Sequence, residues 1–136
     1  MRMKLPIVAL GALALTAAAP AMAHHAFGGE FDSTRPVLLK GPIVKVEWVN
    51  PHTWIHMEVK KPDGGTEVWM IEGGSPNSLI RQGVTKNSIP VGTEVTIEAY
   101  AAKDATNKAV GRNFILADGK RLFVGSPGSP DAPPAK

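Results

Sequence analysis

From Ile43 to about Lys60 the chain alternates apolar and polar residues with one interruption, and that pattern leaves few folds open. Val44, Val46 and Trp48 fall on one face of the first stretch, Lys45 and Glu47 on the other. This is the period of a half-buried strand. Asn50-Pro51 is a turn-initiating pair. A second strand is expected from about Thr53 to Lys60, with Thr53, Ile55, Met57 and Val59 apolar and His52, Trp54, His56 and Glu58 opposite. Two of the four histidines and two of the three tryptophans therefore lie within one corner and its flanks.

The rest of the chain repeats the theme. Val37 to Pro42 begins the first strand, with Gly41-Pro42 marking a bend or bulge. Pro62-Asp63-Gly64-Gly65 is a hairpin turn into a third strand, Thr66 to Glu72. Val68 and Met70 are expected inward there, although Trp69 and Ile71 leave the parity open. Ser75 as N-cap and Pro76 at the first helical position open a short helix, buried through Leu79 and Ile80 and stopped by Gly83. Thr93 to Tyr100 reads as a fourth strand with Val95, Ile97 and Ala99 on one face. Ala101 to Val110 reads as polar loop, Arg112 to Leu116 as a fifth strand, and Leu122 to Val124 as a last short one. The fold class predicted is all-β with one short helix. Three strands, a helix, then further strands is the order of a small five- to six-stranded barrel like the oligonucleotide/oligosaccharide-binding (OB) fold. Another small barrel or sandwich is the alternative.

The ends of the chain read differently. Met1 to Lys4 is a basic start, Leu5 to Ala19 is apolar, and Ala21-Met22-Ala23 is a small-x-small cleavage site, which together make residues 1–23 a signal peptide cut after Ala23. Residues 24–36 form an arm, 37–124 the barrel, and 125–136 a disordered tail with four prolines. The signal takes two of the 15 basic residues, Arg2 and Lys4, leaving 13 against 12 acidic ones and a net charge near +1. A nucleic-acid partner needs a concentrated basic surface, which this charge argues against. The chain has no cysteine, so no disulfide and no thiolate metal site. The expected location is the periplasm, without an integral membrane segment once the signal is removed.

The signal peptide, His24-His25-Ala26-Phe27, Glu30-Phe31-Asp32, the Gly41-x-Ile43-x-x-Val46-x-Trp48-x-Asn50-Pro51-His52 stretch, Glu72 with Ser75-Pro76, and Asp118-Gly119 resemble a bacterial family of exported proteins known only as a domain of unknown function. The resemblance covers nearly all of the mature chain and implies no activity. A looser similarity to small periplasmic proteins with the same barrel implies fold, not function.

Cleavage after Ala23 would leave His24 with a free α-amine beside its imidazole, a pair able to chelate one metal ion. A third nitrogen would complete a set suited to copper, and His25, His52 and His56 are the candidates. Such chains resemble exported copper proteins braced by an N-terminal histidine. His52 and His56, four apart in a strand, stand roughly 13 Å from one another and do not readily share an ion. The arm spans at most about 40 Å. Purely structural histidines are the competing reading, with Asn50-Pro51-His52 a hydrogen-bonded corner. Trp48 is expected in the core. Trp54 and Trp69, with His52 and His56, are the candidate ligand-binding residues, because this barrel usually binds on the outer face of strands two and three. The partner would be a small ligand, a metal ion or an envelope protein, the last including a purely assembly-assisting role. Catalytic signals are poor: no cysteine nucleophile, Gly-x-Ser-x-Gly or phosphate loop is present. Glu47 and Glu58 are conceivable as paired carboxylates on adjacent strands, although charges on an outer face are normally solvated.

Overall fold

The computed structural model describes residues 29–126 together with Ser129 and Ala132. The expected signal peptide, His24, His25, the first five residues of the expected arm and most of the expected tail lie outside these residues. Six strands and one short helix follow one another: β1 (Phe31–Glu47), β2 (Trp54–Lys60), β3 (Thr66–Glu72), α1 (Pro76–Arg81), β4 (Glu94–Ala102), β5 (Lys108–Ile115) and β6 (Arg121–Phe123). Neighbours pair antiparallel in the order β3-β2-β1-β4-β5-β6. A parallel ladder, Met70–Glu72 beside Lys108–Val110, then joins β3 to β5 and closes five strands into a ring.

The 17-residue β1 starts at Phe31, six residues before the expected Val37, and serves both sides of the ring. Pro36 to Pro42 pair with β4, while Ile43 to Glu47 pair with β2. Gly41 marks the handover: a Cβ there would run into the carbonyl oxygen of Glu58, so only glycine lets β1 pass β2 so closely. The bulge itself falls just beyond. Ile43 faces Met57 and Lys45 faces His56, so Val44 is the extra residue, and it is exposed rather than sharing a face with Val46. Val46 and Trp48 do pack on the core, as expected.

The interior collects Leu39 and Ile43 of β1, Ile55 and Met57 of β2, Ile71 of β3, Val95, Ile97 and Ala99 of β4, and Phe114 of β5. Leu79 of α1 joins them, with Val84 and Ile89 from the segment that follows. Ser75 caps the helix, its side-chain oxygen accepting from Ser78 N–H at 3.2 Å, and Pro76 starts it. Ile80, expected on the buried side with Leu79, is exposed instead: six residues offer one inward stripe, and Leu79 fills it. The parity of β3 is the reverse of Val68 and Met70 inward. Trp69 packs against the core and Ile71 is fully buried, while Val68 is exposed, because the register sets Trp69 opposite Met57 and Ile71 opposite Ile55. Both ends of the expected loop Ala101 to Val110 are strand: β4 runs to Ala102 and β5 begins at Lys108, and Gly111 fits between Ile71 and Val124, where a Cβ would collide with the first and crowd the second.

Candidate functional site

Since Ile55 and Met57 point inward and are wholly buried, the pleat turns Trp54, His56 and Glu58 outward. The register supplies their neighbours. Trp54 lies between Glu47 of β1 and Glu72 of β3, and His56 between Lys45 and Met70. His52 sits just ahead of β2, held in place through Thr53, whose N–H donates to the Gly74 carbonyl at 3.0 Å and whose carbonyl accepts from Gly73 N–H at 2.8 Å. Thr53 is fully buried.

Among the described residues each imidazole, His52 and His56, has its own carboxylate. His52 Nδ1 lies 2.5 Å from Glu72 Oε1. His56 Nε2 lies 2.7 Å from Glu47 Oε2, and Lys45 Nζ donates to the other oxygen of Glu47 at 2.9 Å. Lys45 and His56, in that order, hold the Glu47 carboxyl below the usual range. Glu47 is therefore paired with Lys45 and His56 and not with Glu58, which faces Val68 on β3. Glu72 is the opposite case. Burial pushes its carboxyl above the usual value, against the pull of His52, with Glu30 raising it further and Lys108 lowering it.

A cation completes the face. Lys108 Nζ stands 5.6 Å from the centroid of the Trp54 ring and 2.5 Å from Glu30 Oε1. Glu30 is the main cause that keeps this ammonium above its ordinary pKa. Two imidazole–carboxylate pairs, an indole and a lysine thus share one side of the ring of strands.

Of the residues singled out from the sequence, His52, Trp54 and His56 come together here. Trp69 does not: it occupies the inner face of β3, its indole N–H donating to Glu67 Oε1 at 2.9 Å. His24 and His25 lie outside the described residues. Glu72, Glu47, Lys108 and Glu30 were not legible as members of the face; they converge from three strands and the segment ahead of β1, and only Glu47, on the polar side of its strand, carried a local signal. Among the described residues no three of His, Cys, Asp and Glu gather into a group that could hold a metal ion. An open groove of ≈ 950 Å³ is lined by Leu38, Pro42, Val59, Val95, Leu116 and others; Glu58 borders it, and His52, Trp54, His56 and Trp69 do not. Among the described residues no helix is long and apolar enough to cross a membrane.

No curated protein and no solved structure matches the chain. One family model does, over residues 12–112, and on that match the chain belongs to a family of unknown function, DUF6152.

Proposed function

We propose that this is an exported, periplasmic binding domain without catalytic activity of its own, an OB-like barrel that receives a small ligand or an envelope partner on the outer face of β2. Two features support the architecture: β3 and β5 close the ring in parallel, and α1 falls between β3 and β4, as in that fold. The observation that carries the function is Trp54, an indole kept out of the core and flanked by the His52–Glu72 and His56–Glu47 pairs. A large half-buried ring on the outer face among oriented polar groups is what a stacking ligand needs. The test is an amide-resolved NMR titration of the processed protein with a panel of sugars, amines, amino acids and short peptides. Shifts centred on Trp54, His52 and His56 are expected. Shifts confined to the groove beside Leu38 would move the site and overturn the reading.

A copper-binding role is the second reading, and one geometric observation favours it. With Nδ1–H donated to Glu72, Nε2 of His52 is the nitrogen left for a metal, the arrangement usual for ligating histidines. Glu30 is fastened by Lys108 beside this pair, and six residues back to His24 span at most about 20 Å. His24 would supply its amine and imidazole and His52 the third nitrogen, with His25 and His56 as alternatives. Mass analysis should find His24 first, and Cu(II) titration followed by spin resonance and calorimetry should give a site that weakens sharply when one residue is left ahead of His24. Indifference to that extension would remove the role.

A further inference from the structure

A cation already occupies the proposed binding face, and it belongs to the protein. Lys108 Nζ is 5.6 Å from the Trp54 ring centroid, within the range over which an indole attracts an ammonium. It is also 2.5 Å from Glu30 Oε1, and Glu72 adds to the electrostatic pull on it. The three groups come from separate elements: Trp54 from β2, Glu72 from β3, and Glu30 from ahead of β1. An aromatic face and a carboxylate meeting at one ammonium, with Glu72 opposite Trp54 on the neighbouring strand, is the chemistry that recognises an alkylammonium. The enclosure is not sealed, since the side chains of Lys108 and Glu30 keep 30% and 43% of their exposure. Lys108 is the first residue of β5, and its four-carbon stem has rotamers that lead into solvent.

We infer that Trp54 and Glu30 form a cage for a primary ammonium group beside Glu72, that Lys108 fills it when no ligand is bound, and that the ligand of this face carries such a group. The inference rests on the binding reading above and adds the chemical class. A tethered lysine competes at high effective concentration, so an outside ammonium binds the native protein weakly and gains when the tether is removed.

The experiment follows the Trp54 indole N–H and the β2 amides by NMR at low ionic strength. The wild-type protein and Lys108→Ala are each titrated with n-butylammonium, n-butanol and butyrate. Lys108→Met, which keeps the stem, stands in if the alanine variant does not fold. The cage requires a saturable response to n-butylammonium alone, at least about tenfold tighter in the lysine variant than in the wild type. That response should be lost when Trp54→Leu or Glu30→Gln is added. No saturable shift, or one that survives both additions, overturns the cage. An equal response to n-butanol also overturns it while leaving the face a binding site. Shifts only in the groove beside Leu38 overturn both.

Discussion

His52 Nδ1 and Glu72 Oε1 meet at 2.5 Å across the join between the β1–β2 corner and the end of β3, and Glu72 is only 8% exposed. Burial raises the folded-state pKa of Glu72 above its ordinary 4.5. A group whose pKa rises on folding stabilises the fold fully below its unfolded pKa, and that contribution is lost as pH climbs through the folded value. Relative to Glu72→Gln, the wild-type protein should therefore lose unfolding free energy as pH climbs above about 4.5, with a slope of at most about 1.4 kcal/mol per pH unit. Denaturant titrations of both proteins at a series of pH values check this, and a difference that stays flat would refute it.

Glu47 should behave in the opposite sense. Lys45 and His56 lower its pKa, so its contribution is present above about pH 4.5 and disappears as pH falls through the depressed folded value. Glu47→Gln should cost stability near neutral pH and converge with the wild type in acid. The difference should shrink in added salt, because this carboxylate lies on the open face.

Trp54 on β2 and Trp69 on β3 lie on opposite faces of the sheet, and their replacements should separate accordingly. Trp69→Ala removes a ring packed on the core and should cost at least about 2 kcal/mol. Trp54→Ala should stay within about 1 kcal/mol of the wild type while abolishing the ligand response of the face. Thermal unfolding and the NMR titration together read the two effects.

Gly41→Ala should be among the most damaging small substitutions. The added methyl group has to share space with the backbone carbonyl of Glu58, and backbone cannot swing aside as a side-chain tip can. A loss of about 3 kcal/mol or more is expected, enough to unfold much of a domain this size. A variant with the wild-type melting temperature would show that β1 can pass β2 at a greater distance.

The legible parts of this fold are those where local pattern and final environment agree. Ile55 and Met57 alternate cleanly with Trp54 and His56, and the inward side of β2 follows. Ser75-Pro76 marks a helix start from chemistry confined to a few residues. In Glu67-Val68-Trp69-Met70-Ile71 the large apolar residues occupy both faces, so alternation has no phase, and only the pairing with β2 decides that Trp69 turns in. Val44 falls at a bulge, where one unpaired residue reverses the parity that the flanking sequence suggests. Lys108-Ala109-Val110-Gly111 is too short to show a period, and it becomes strand because β3 and β4 lie on either side of it. The candidate face divides likewise: His52, Trp54 and His56 are close in sequence, whereas Glu30, Glu72 and Lys108 are joined to them only by the closing of the ring.

The divided allegiance of β1 has a consequence for the order of assembly. Its second half finds β2 within a few residues, but Leu39 must wait for Ile97 and Gly41 for Val95. A chain emerging from its N-terminus therefore carries one half of its longest strand without a partner until β4 has been made, and distant pairings of this kind form late. Until then Val37, Leu38 and Leu39 present an apolar template for any other extended segment, so the growing polypeptide is most prone to self-association before residue 95 is available.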